Sequence, residues 1–171
     1  GKPLHIEGLI ENITAHKRSQ AAAHESESRF RAVFENAAIG VVLSDLKGRI
    51  VQSNTAFAEM LGYSADELAG KTVQDVTAAD DIEIERRMFR ELFAGKRSRV
   101  QLEKEYRHRD GSTVWGRLSG SVLSDDEGKP QMVVVVVEDV SESKLATNRL
   151  RQSEQRYRLI TEGVADLIAS T

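Results

Sequence analysis

The chain has 171 residues, 40% hydrophobic and 30% charged, with a net charge of −3 at neutral pH. That balance fits a soluble globular protein, excludes a disordered one, and gives no electrostatic reason to expect nucleic acid or an anionic membrane as a partner. Cysteine is absent, which excludes disulfides, thiolate metal sites and thiol adducts.

Residues 4–13 read as a short strand, and residues 14–36, without Gly or Pro, as a helix. Residues 39–44 form a compact apolar strand, turned by Asp45-x-x-Gly48 into a second strand over 49–53. Asn54 caps a short helix whose apolar face carries Ala56, Phe57, Met60 and Leu61, ending at Gly62. Ser64-x-x-Glu67 is a capping box for another, and residues 79–94 give a longer helix with Ile84, Met88, Phe89, Leu92 and Phe93 at three-to-four spacing. Strands follow at 99–109 and, past Asp110-Gly111, through Val114, Leu118 and Val122. Met132 to Val137 is apolar at every position, so that strand needs cover on both faces and belongs inside the sheet, beside 39–44. Asp139-x-x-Glu142 opens a last helix, to about residue 162. The order is that of an α+β fold, an antiparallel sheet with its helices grouped over one face.

The two ends of the chain repeat one another at an offset of 127 residues. Residues 1–44 align with 128–171 without a gap and with 11 identities, including Gly1-Lys2-Pro3 with Gly128-Lys129-Pro130. A period of that length matches one small domain. The expected organisation is a tandem array: residues 1–13 the tail of a preceding domain, 14–36 a connector helix, 37–140 one complete domain, 141–162 an exit helix with coiled-coil character, and 163–171 the start of another domain.

Five motifs in order resemble a PAS domain with its PAC motif. They are Glu35 to Gly40, Asn54-Thr55-Ala56-Phe57, Leu61-Gly62-Tyr63-Ser64-x-x-Glu67-Leu68-x-Gly70-Lys71, the hairpins around Asp110-Gly111 and Glu127-Gly128, and Glu138-Asp139-Val140-Ser141. The resemblance implies a five-stranded antiparallel sheet around a small pocket. It also implies sensing and dimeric relay upstream of a histidine kinase, diguanylate cyclase or similar output, in a cytoplasmic domain whose parent protein is free to be membrane-anchored. The alternative is a ligand-free dimerisation or spacer module. A pocket of that kind would be lined by Val42, Phe57, Met60, Met88, Leu102, Leu118 and Val135.

Among cofactors that the resemblance brings in, flavin adducts and coumaric thioesters both need a cysteine. Haem is disfavoured because the long helix has no histidine, and His108, between two arginines before a turn, reads as a solvated surface residue. The other histidines, His5, His16 and His24, show no metal-ligand spacing. Noncovalent FAD stays compatible, although Asn54 is explained by capping and Trp115 by packing on the outer sheet face. What would occupy the pocket is left undetermined. No phosphate loop or nucleophile elbow occurs, and the acids Asp80, Asp81, Glu83 and Glu85 read as a solvated helix start. The window carries no catalytic constellation; an output enzyme would lie outside it.

Signal transfer falls to the helices. Ala146, Leu150, Ser153, Tyr157, Ile160 and Val164 recur at spacings 4-3-4-3-4, and Ser19, Ala23, Ser26, Phe30, Val33 and Ala37 repeat them upstream. Such a seam suits a parallel homodimer, with Asp139 and Ser141 at the domain–helix junction. Its serines and alanines keep it weak, which leaves two registers close in energy, as a switch requires.

Overall fold

The structure, a computed structural model, describes residues 3–169, with side chains over 17–161. It divides into two units, Gly1–Ala38 and Ile39–Thr171. The first is the helix α1 (Pro3–Glu35). Along its surface Arg29 pairs with Glu25 and Arg31 with Glu27, each one turn apart, and Phe30 stacks on Phe34 with ring centroids 5.5 Å apart.

Residues 4–13, expected as a strand, are therefore helical. A lone strand leaves its backbone donors and acceptors unpaired, whereas a helix satisfies them within itself. Ile6, Leu9, Ile10 and Ile13 are also spaced three to four apart, so the same residues fit a helix.

In the second unit, β1 (Gly40–Ser44), β2 (Ile50–Ser53), β3 (Val100–Arg107), β4 (Thr113–Ser124) and β5 (Pro130–Asp139) form one antiparallel sheet in the order β2-β1-β5-β4-β3. The apolar strand β5 is interior and pairs with β1, Val42 opposite Val135, as its composition predicts. Its side chains split by parity: Val133, Val135 and Val137 are buried on the inner face, while Val134 and Val136 are half-buried on the outer one.

Between β2 and β3 run α2 (Thr55–Leu61), α3 (Ala65–Leu68), two 3₁₀ turns (Val73–Val76 and Ala79–Asp81) and α4 (Ile82–Phe93). Local chemistry sets their ends. The Asn54 side chain accepts from the Phe57 N–H at 3.1 Å to start α2, and Gly62, at φ +73°, closes it in the left-handed conformation. Ser64 and Glu67 form the reciprocal capping box of α3. Phe57, Leu61, Leu68, Val76 and Leu92 bury themselves with Val42, Leu118 and the β5 valines in one core.

After β5, α5 (Ser141–Ala169) carries the chain on. It extends beyond the expected end at 162, and Ser170 and Thr171 lie outside the described residues. No helix among the described residues is long and apolar enough to cross a membrane.

Candidate functional site

A cavity of about 360 Å³ opens between the inner face of the sheet, the β1–β2 turn and α4. That lies at the lower end of the range for small-molecule pockets. Its apolar wall comes from Val42, Val133, Val135 and Val137 on the central strands, Phe57 on α2 and Phe89 on α4. Helix α4 contributes Ile82, Glu85, Arg86, Phe89, Arg90 and Phe93, one continuous face at spacings of three and four.

Of the seven residues expected to line the pocket, Val42, Phe57 and Val135 do so. Leu118 is fully buried in the core, while Met60, Met88 and Leu102 are half-buried against it, and none of the four reaches the cavity wall. For Met88 the reason is helical phase: α4 turns Glu85 and Phe89 inwards, and Met88, about 100° round from Phe89, falls off that face. Leu102 and Leu118 have the correct parity but pair with one another across β3 and β4, where Leu118 fills the core and Leu102 packs against it.

The polar wall was not foreseen. Lys104 on β3 and Glu85 on α4 are both buried, and Lys104 Nζ lies 2.7 Å from Glu85 Oε1. The same ammonium donates to the Thr77 hydroxyl at 2.7 Å and sits 4.4 Å above the Tyr106 ring centroid. The Thr77 hydroxyl in turn donates a hydrogen bond to the Val73 carbonyl at 2.7 Å. Burial pushes the Lys104 pKa down, and the Glu85 carboxylate works against that shift. Burial, reinforced by Glu85, raises Tyr106 well above the ordinary phenol range, so its hydroxyl stays protonated. Glu85 thus corrects the reading of the acids around residue 83 as uniformly solvated. The signal was present in the sequence: Glu85 interrupts the apolar face of α4, and Lys104 takes a core position in the alternation of β3. Opposite charges on inward positions of two elements are expected to meet, because neither tolerates burial alone.

Asn54 and Trp115 both stand outside the cavity wall. Asn54 Oδ1 also accepts from the Val41 N–H at 2.8 Å, fastening α2 to β1. His108 is half-buried rather than solvated. Its Nδ1 lies 2.8 Å from Asp110 Oδ1, and its ring fills the space where a side chain on Gly62 would stand. Among the described residues no cluster of three His, Cys, Asp or Glu side chains forms a metal site.

The cavity strand leads directly into the exit helix. Two residues past Val137, Asp139 Oδ1 accepts from the Ser141 N–H at 2.9 Å. The Ser141 hydroxyl oxygen accepts from the Trp115 N–H at 2.9 Å, and the Val140 N–H donates to the Trp115 carbonyl at 2.8 Å. Lys144, one turn into α5, stands 4.5 Å over the Trp115 ring and 2.6 Å from Glu103 Oε2. Beyond that junction Ala146, Leu150, Ser153, Tyr157 and Ile160 are exposed, as are Phe30 and Val33 on α1. The side chain of Val164, the last position of the seam, lies outside the described residues.

The family model for the PAS domain matches residues 38–142. The sensor histidine kinase TmoS of Ectopseudomonas mendocina is 32% identical over 148 residues, 86% of this chain and 15% of that protein. The probable diguanylate cyclase DgcE of Escherichia coli is 33% identical over 138 residues, 81% of this chain and 12% of that protein. The chain thus spans a small fraction of the curated relatives it matches. Among solved structures, the PAS domain of an HTR-like protein from Haloarcula marismortui superposes with a TM-score of 0.60 at 25% identity, over 72% of this chain and 98% of that one. A PAS domain from Colwellia psychrerythraea gives 0.63 at 17% identity, over 67% and 97%, a likeness of fold alone.

Proposed function

The chain belongs to the PAS domain family, and we propose that it is the sensory and signal-relay module of a multi-PAS protein, working as a parallel homodimer. Its output would be a histidine kinase or diguanylate cyclase domain elsewhere in the parent protein, as in TmoS and DgcE. The repeat of residues 1–44 at 128–171 supports further PAS domains as neighbours in the same chain.

One observation carries the reading. Three successive inward residues of β5, Val133, Val135 and Val137, form the cavity wall, and the same strand becomes α5 within four residues of Val137. A filled cavity would press on β5, and the pressure would reach α5 through Asp139, Ser141 and Trp115. The exposed positions Leu150, Ser153 and Tyr157, with Phe30 and Val33 on α1, would supply the dimer contact. A seam holding Ser153 and Ala146 is weak enough to change register.

Filling the cavity by substitution tests this. Val135→Phe should occupy part of the space and change amide hydrogen exchange over residues 141–161, with the sheet still protected. Unchanged exchange in α5, in a variant whose thermal unfolding shows a filled and folded core, would favour the ligand-free spacer reading.

A further inference from the structure

Charge and floor together point to the chemistry of what the cavity holds, a step that rests on the sensory reading above. Six charged side chains line it: the cations Lys47, Arg86, Arg90 and Lys104, against the anions Asp45 and Glu85. Lys104 and Glu85 neutralise one another, and the Lys104 ammonium is engaged by Glu85, Thr77 and the Tyr106 ring. Asp45 Oδ1 accepts from the Lys47 and Arg49 backbone N–H groups at 2.9 and 2.8 Å, holding its carboxylate in the turn. Arg86 is shared with Gln74 and Glu83. The side chains of Lys47 and Arg90 have no hydrogen-bond or ion-pair partner among the described residues. They come from separate elements, the β1–β2 turn and α4, and both are exposed, which places them at the mouth.

Inside, Val42, Phe57, Val133, Val135 and Val137 are buried. An anion drawn wholly inside would be desolvated against valines with the Lys104 ammonium already committed to Glu85, whereas a purely apolar ligand would leave the unpaired mouth cations unused. An ammonium ligand would meet a surplus of positive charge.

We infer that the cavity selects a small organic anion, a monocarboxylate with an aromatic or branched aliphatic body. Its carboxylate sits between Lys47 and Arg90 at the mouth, and its apolar end rests on the valine floor.

A matched series isolates the charge. Benzoate, benzamide and benzamidine share a ring and a planar head but differ in charge, and isovalerate with isovaleramide repeats the comparison on a branched body. In amide-resolved NMR titrations at millimolar concentration, at least one carboxylate should shift the resonances of residues 133–137 and bind about tenfold more tightly than its amide, since a charge-assisted contact is lost with the charge. Benzamidine should leave these resonances unmoved. Lys47→Gln with Arg90→Gln should remove that advantage while leaving amide binding unchanged. Equal binding of acid and amide, or no binding by any carboxylate of the panel, would overturn the inference. The sensory reading fails separately: carboxylate binding that leaves hydrogen exchange in α5 unchanged would sink it while leaving the ligand class intact.

Discussion

Replacing Lys104 by Met removes one half of the buried pair and leaves the other half in place. At 2.7 Å, and with an effective dielectric constant of about 20, the attraction is roughly 6 kcal/mol, most of it offset by the desolvation of two ions. The net worth of the pair is therefore small, but the cost of breaking it is not. Glu85 is only 5% exposed, and without Lys104 its carboxylate has no cation to balance it. Such a loss costs about 3–5 kcal/mol. Lys104→Met combined with Glu85→Leu removes both charges and fills a similar volume, so the double variant should fall within about 1 kcal/mol of the parent. Urea unfolding of the parent, both single variants and the double variant gives the cycle directly. A single-variant cost below about 1 kcal/mol, or a double variant as unstable as the two singles summed, would refute the reading of Lys104 and Glu85 as a coupled buried pair.

Gly116→Ala should cost about 1–3 kcal/mol by overpacking, because the added Cβ would stand 2.8 Å from the Tyr106 ring carbon Cδ2 and 2.9 Å from Val137 Cγ1; thermal unfolding reads the loss. Asp110 is held at about 2, against an ordinary 3.8, chiefly by hydrogen bonds from Ser112 with help from His108. Because the folded value is the lower one, its contribution is present above pH 3.8 and disappears as pH falls towards 2. Asp110→Asn should accordingly flatten the loss of stability over that interval in urea titrations, and an unchanged slope would exclude Asp110 as its source. Ser153→Leu should tighten self-association by a few tenths to about 2 kcal/mol through added apolar burial, as measured by sedimentation equilibrium.

The fold was legible where one local rule governs each element. Parity and composition identified β5 as an interior strand, and Asn54, Gly62 and the Ser64–Glu67 box placed the short helices because capping is a contact between near neighbours. Residues 4–13 were misread because their apolar spacing satisfies two periods at once, and the choice between them depends on whether a ladder partner exists. The cavity was legible only in part. Val42, Phe57 and Val135 follow from strand parity and helix face, but Met88 shows that the rotation of α4 is fixed by packing with the sheet. Glu85 reads as solvated among its acidic neighbours, and Lys104 carries no signal of its own as a single charge inside an apolar alternation. Two such interruptions of opposite sign, on elements that face one another, are better read as a buried pair.

The coupling of the cavity to α5 is tested most directly by the distance between spin labels placed at residue 155 in the two copies of a dimer. Gln155 is exposed on α5 and lies off the seam positions Ser153 and Tyr157, so a label there should leave both the core and the proposed dimer contact undisturbed. Pulsed dipolar measurements on the otherwise unaltered chain and on Val135→Phe should give distance distributions that differ in mean or in the weight of two components. Identical distributions in the two proteins, both dimeric and folded, would contradict the proposal that what fills the cavity moves the exit helix.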